Sequence, residues 1–165
     1  WHGLINSANK LGDKVRWLQD SIMLFYLNGR KSNGILQDFK KEIDPKRKVL
    51  DLQKGLVEVF RKWLVSDESR IKVGYYKNIG CIISESWKCK KGVSSLATAP
   101  WIEEIFQTVL SQGALGGKLC GAGGGGFLLV LCEEHLQQDV IVAMKDNLYL
   151  QFKFEQEGTK IIYED

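Results

Sequence analysis

The chain of 165 residues has little material for metal sites or disulfide frameworks. It contains two histidines and four cysteines, Cys81, Cys89, Cys120 and Cys132, and no C-x-x-C pair. Zinc sites draw on Cys and His clustered at short spacings, so this inventory speaks against one. Four scattered cysteines in a chain of this size read as reduced, partly buried thiols in a cytosolic protein. Long apolar runs are also missing: none exceeds six residues, Phe127–Cys132 among them, whereas a membrane-spanning helix needs roughly 20. No signal peptide is visible at the start, so a cytoplasmic location without a membrane is expected. Neither sign of charge dominates, with 23 Lys and Arg against 20 Asp and Glu and a net charge of +3. The lysines are dispersed among acids, which is too mild a bias to suggest a nucleic-acid partner. The opening WHGLINSANK carries no initiator Met, so the chain reads as trimmed or as a piece of a longer protein.

What the sequence does contain is an ordinary folding composition, 44% apolar and 26% charged. That suffices for one domain with a real core, or for one large half of a two-domain protein. Val15–Leu27 is apolar-rich and ends at the turn signal Asn28-Gly29, so its later half reads as a strand. Ile35–Ile43 reads as a short helix stopped by Asp44-Pro45. Over Val49–Leu64 the residues Val49, Leu52, Leu56, Val59, Phe60 and Trp63 follow helical spacing. Ile71–Trp87 continues in the same manner, with Gly74 and Gly80 placed where helices can approach closely. Pro100 opens the clearest helix, Glu103 and Glu104 suit its positive end, and Gly113 is placed to stop it. Its expected buried face is Trp101, Ile105, Phe106, Val109 and Leu110. Phe127–Cys132 reads as a buried strand and Leu136–Leu148 as a helix. Alternation at Leu150, Phe152 and Phe154, a Glu157-Gly158 turn and Lys160–Tyr163 suggest a final hairpin. Interleaved helices and strands ending in a hairpin predict an α+β fold, an antiparallel sheet with helices packed on one face.

The most unusual stretch is GALGGKLCGAGGGGFLLVLCEE, whose first fourteen residues, 113–126, include eight of the seventeen glycines. Each glycine in regular structure costs roughly 0.5–1 kcal/mol relative to alanine, so the cluster needs a reason. Walker A fails, because Gln112 stands where a glycine is required and Leu119 follows Lys118. The dinucleotide pattern G-x-G-x-x-G matches at Gly121, Gly123 and Gly126, but it should open a helix and here it opens a strand. A protein-kinase glycine loop would be accompanied by H-R-D and D-F-G segments, which are absent. Two readings stay open: a glycine-rich turn or bulge in close backbone contact, or a loop whose amides make an anion-friendly concavity.

The segment GGKLCGAGGGGFLLVL resembles the third conserved motif of the GHMP kinases. IGCIISESWKCKKGVSSLA, LFYLNGRKSNGIL and FKFEQEGTKIIYED are similar to segments of that superfamily's branch of heptose 7-phosphate kinase-like sugar kinases, with fucokinases close by. The resemblance runs from about Ser21 to Asp165 and implies the ferredoxin-like GHMP C-terminal domain over 1–165, although 1–20 have no clear counterpart. It also implies an N-terminal partner domain carrying a P-x-x-G-L-x-S-S-A-type phosphate loop, the catalytic aspartate and the magnesium-holding residue. No such stretch exists here; GVSSLATAP shares serines only. The implied activity is transfer of the γ-phosphoryl group of ATP, with Mg2+, to a sugar or sugar phosphate in the intact two-domain enzyme. No catalytic or metal-binding residue is then expected in this chain.

Phosphoryl transfer is mostly positioning and charge stabilisation, so two domains can share it. The resemblance places Gly121, Gly123, Gly124, Gly125 and Gly126 beside the nucleotide phosphates, and Lys118 near them; a solvated strand-end lysine is the other reading of Lys118. Trp87, Lys88, Lys90 and Lys91 offer a ring and cations to a sugar or sugar phosphate, or else a core tryptophan beside a solvated lysine face. Two further expectations stand beside the kinase fragment. One is a non-catalytic ligand-binding or regulatory module of the same fold. The other is a fragment that self-associates through an exposed inter-domain face.

Overall fold

The structure, a computed structural model, describes residues 2–28, 44–65 and 73–154. The expected helix at Ile35–Ile43, the Glu157-Gly158 turn and the strand at Lys160–Tyr163 lie outside the described residues. Helix α1 covers His2–Ser21 and runs directly into strand β1, Ile22–Leu27, so the strand occupies the later half of Val15–Leu27. Helix α2, Asp44–Val65, starts earlier than its apolar spacing suggests. Asp44-Pro45 opens this helix, because proline fits a first turn where no amide partner is needed. Helix α3 spans Val73–Val93, and a short 3-10 turn, Ser95–Ala97, links it to α4, Pro100–Ser111. Strands β2, Gly116–Leu119, and β3, Gly126–Leu131, flank the glycine loop. A 3-10 turn at Glu134–Leu136, helix α5 at Gln137–Ala143 and strand β4 at Leu148–Leu150 complete the described chain. The expected helix of Leu136–Leu148 is therefore shorter, and 151–154 are not strand.

The four strands are ordered β2-β3-β1-β4 and every neighbouring pair is antiparallel. The fold is α+β, with an antiparallel sheet carrying helices. Register sets which side chains share a face: Phe25 lies opposite Leu128 and Met23 opposite Val130. These four are fully buried, together with Ile102 and Val109 of α4 and Val140 of α5. Period-two alternation sends Ile22, Leu129 and Leu131 to the reverse face. There they join a second cluster with Ile79 and Ile83 of α3, Leu56 and Val59 of α2, and Trp17 and Leu18 of α1.

Helix α4 turns most of the expected stripe inward, with Ile105 and Leu110 packed against the core, but Ile102 stands in place of Trp101. Ile102, Phe106 and Val109 are buried, whereas Trp101 is 39% exposed. The spacing of 102, 106 and 109 is itself helical, and Trp101 is the one expected member that lies off this stripe. Gly113 leaves the helix at φ 93°, a left-handed conformation that glycine adopts without penalty.

Candidate functional site

Helix α3 docks against β2 through missing side chains. A Cβ on Gly80 would overlap the Leu115 carbonyl, and one on Gly116 would overlap the Gly80 carbonyl and lie 2.7 Å from Ser84 Oγ. The Gly117 amide donates to Ser84 Oγ at 3.3 Å, and a Cβ on Gly117 would stand 2.6 Å from the Leu129 carbonyl oxygen. The close approach expected at Gly80 is therefore made to a strand instead of another helix. It places the later turns of α3 alongside β2 and the start of the glycine loop.

A cleft of ≈ 500 Å³ opens at this junction. Val49 and Gln53 of α2 form one side, Ser86, Trp87 and Lys90 of α3 another, and residues 118–122 the third. Of the residues singled out from the sequence, Trp87, Lys90, Lys118 and Gly121 meet here. Lys88 and Lys91 do not. Lys88 Nζ pairs with the exposed Glu85 carboxylate at 2.5 Å, and Lys91 Nζ with Glu103 at 2.6 Å. Glu103 also accepts from Thr98 Oγ1 at 2.6 Å. Partial burial pushes the Glu103 carboxyl upward, but the Lys91 and Thr98 hydrogen bonds and the Lys91 charge outweigh it and leave its pKa below the usual value.

Trp87 is 2% exposed and stacks on Phe106, with centroids 6.2 Å apart. It therefore belongs to the core at one edge and to the cleft wall at the other. Its Nε1 is buried with no hydrogen-bond partner. The ammonium groups of Lys90 and Lys91 stand 5.8 and 5.7 Å from its ring centroid, within cation–π range. Lys90 Nζ donates to the Gly121 carbonyl. Burial, and next the like charge of Lys118, lower the Lys90 pKa below its usual value; Cys120 acts weakly the other way.

The glycine loop has left-handed or glycine-only φ values at Gly121, Gly123, Gly124, Gly125 and Gly126. Gly123–Gly125 are buried. The Gly124 amide donates to the Ala97 carbonyl at 2.6 Å, so the loop closes on the 3-10 turn that precedes α4. A Cβ on Gly123 would come within 2.6 Å of the same carbonyl. The exposed entry, Gly121, faces open space and points its carbonyl at Lys90.

Among the described residues no carboxylate lines the cleft, and no three Cys, His, Asp or Glu side chains gather as metal ligands. The cleft thus fits an anionic group and does not fit a magnesium ion held by protein alone. All four cysteines are free. Cys132 is buried, and burial pushes its thiol up to about 11, which makes it unreactive. His135 is exposed. Among the described residues no helix is long and apolar enough to cross a membrane. The sequence reading took Val49 for an apolar helix face only and overlooked Gln53 and Ser86. Ser86 was accessible to it, because Ile79, Ile83, Ser86 and Lys90 follow one helical stripe.

Comparison with known proteins bears on the same elements. Residues 73–150, from α3 to β4, match the family model described as GHMP kinases C terminal. The D-glycero-alpha-D-manno-heptose 7-phosphate kinase of Campylobacter jejuni is 35% identical over 81 residues, covering 48% of this chain and 24% of that protein. The L-fucokinase/L-fucose-1-P guanylyltransferase of Bacteroides fragilis is 26% identical over 131 residues, covering 73% of this chain and 13% of that protein. The chain thus spans a quarter or less of the length of these curated relatives. The Methanococcus jannaschii mevalonate kinase structure superposes with a TM-score of 0.58 at 18% identity, covering 82% of this chain and 40% of that one.

Proposed function

We propose, from the match of residues 73–150 to the family model of the GHMP kinase C terminus, that the chain is the C-terminal part of an ATP-dependent sugar or sugar-phosphate kinase. The whole chain, 1–165, serves as that part. It works with an N-terminal GHMP kinase domain that supplies the phosphate loop, the catalytic aspartate and the magnesium ligand. The observation that carries this reading is the cleft in which Lys90 and Lys118 flank the entry to the glycine loop. Phosphoryl transfer needs cations and positioned backbone more than covalent chemistry, and the cleft offers both without any acid–base pair.

In this division of labour Gly121 and Gly123–Gly126 shape the wall met by the nucleotide phosphates. Their missing Cβ atoms let a second domain and the phosphates come close. Trp87, Lys90 and Lys118 face ligand, whereas Lys88 and Lys91 hold their own carboxylates and act at most through position. Mg2+ neutralises phosphate charge when bound, and its protein ligand comes from the other domain. The similarity to a heptose 7-phosphate kinase supports a phosphorylated acceptor. The longer stretch shared with a fucokinase, 131 residues, supports a neutral sugar as the second reading.

Titrating Mg-ATP calorimetrically into the folded chain tests the division. No saturable binding in the micromolar range is expected, because the chain holds half of a site. Saturable micromolar binding would show a complete nucleotide site and end the two-domain account. The chain rejoined to an N-terminal GHMP kinase domain is then expected to consume ATP with heptose 7-phosphate, or with fucose if the second reading holds. Consumption with neither rejects the kinase reading.

A further inference from the structure

Helix α3 ends with three lysines in four positions, 88, 90 and 91, and two of them are matched. Lys88 meets Glu85 and Lys91 meets Glu103. Lys90 turns into the cleft, where its only hydrogen-bond partner among the described residues is the Gly121 carbonyl, which leaves two of its three donors over. From the facing wall β2 presents Lys118, on the same side of the sheet as Leu129, its register partner. Lys118 has no carboxylate partner among the described residues, and none lines the cleft. Two half-buried like charges repel, and the cost grows as water is excluded. Burial first, and the Lys118 charge after it, lower the Lys90 pKa. Trp87 lines the same wall, and its indole N–H, buried behind that wall, has no hydrogen-bond partner among the described residues. An arrangement of donors with no acceptor is unfavourable alone and complementary to a multiply charged oxyanion.

We propose that this cleft binds a phosphomonoester group between Lys90 and Lys118. Its volume of ≈ 500 Å³ leaves room for a sugar-sized or nucleoside-sized remainder. A sugar phosphate and a nucleotide both present this chemistry. The site rests on the kinase reading only for the choice between them, because the unmatched cations call for an anion whatever the reaction.

The test follows the Trp87 indole cross-peak in 15N–1H spectra of the labelled chain at constant ionic strength. Sodium phosphate, D-mannose 6-phosphate, AMP and D-mannose are added in turn. The three phosphates are expected to shift that peak saturably and mannose to leave it in place. Lys90→Gln and Lys118→Gln should each weaken phosphate binding roughly tenfold, as loss of a charge-assisted contact does. Lys118→Arg should retain binding, and Lys54→Gln, which alters an exposed pair with Asp51 on α2, should change nothing. Tighter binding of mannose 6-phosphate than AMP assigns the site to the acceptor, and the reverse assigns it to the nucleotide. No saturable shift, or the same affinity in both Lys→Gln variants with their remaining spectra unchanged, overturns the site. Phosphate binding without transfer in the rejoined enzyme would remove the kinase reading and keep the site. Transfer with unaltered KM values in the lysine variants would do the opposite.

Discussion

The glycines of β2 and those of the loop that follows it solve different problems with one residue type. At Gly116 and Gly117, and at Gly80 on the facing helix, the backbone is ordinary and the space is not. A methyl group at any of them would run into a carbonyl. At Gly121 and Gly126 the space is open and the backbone is not ordinary, with φ of 68° and 92°. Gly123 combines both constraints. The contrast shows that a glycine run need not have one cause: the first half lets a helix lie on a strand, and the second lets the chain reverse.

This contrast makes separable predictions. The largest effects belong to the crowded positions. Gly80→Val or Gly116→Val should cost about 3 kcal/mol or more, since overpacking against backbone cannot relax by a rotamer change; urea unfolding of the two variants reads this directly. Values within experimental error of the wild type would mean that α3 and β2 do not touch. At the loop, Gly123→Ala should cost about 2 kcal/mol, from strained φ plus the Ala97 carbonyl. Gly121→Asn should stay within about 0.5 kcal/mol, because asparagine tolerates the left-handed region. Equal losses at 121 and 123 would show that conformation alone governs the loop.

A small effect of another kind concerns the tie between α3 and α4. Glu103→Gln should cost less than about 1 kcal/mol, because the pair with Lys91 is partly solvated. The sign of its pH dependence follows from a native carboxyl held below its unfolded value of 4.5. The contribution is complete above that value and disappears as the pH falls through the lower native pKa. Thermal melts of wild type and variant should therefore converge on acidification through that window. A gap that widens there would show that Glu103 is not ionised in the native state.

Much of this architecture is legible in the residues. Periodicity marks α2, α4 and β3, and a Pro and a Gly frame α4 in the expected places. Strand β2 is not legible, because Gly116 and Gly117 have no side chains to alternate. The inward face of α4 shows another limit: Trp101 and Ile102 are adjacent and apolar, and only the sheet beneath decides which is buried. The lysine cluster divides in the same way. Glu85 is three residues from Lys88 and can be read as its partner, whereas Lys91 finds Glu103 twelve residues away and Lys90 finds Gly121 thirty-one residues away. Contacts at that separation are made by the fold and leave no local trace. The pairing of Lys90 with Lys118 is of this kind, so the sequence shows both lysines without showing that they share a cleft.

The glycine contact between α3 and β2 has one more consequence. Among the described residues β2 is an outer strand of the sheet, and the outer strand of an open sheet ordinarily offers unpaired amides to any extended chain that passes. Here α3 lies along that border, and Ser84 already takes up the Gly117 amide. This border is closed to strand addition, so neither aggregation nor a partner's docking can proceed by lengthening the sheet past β2.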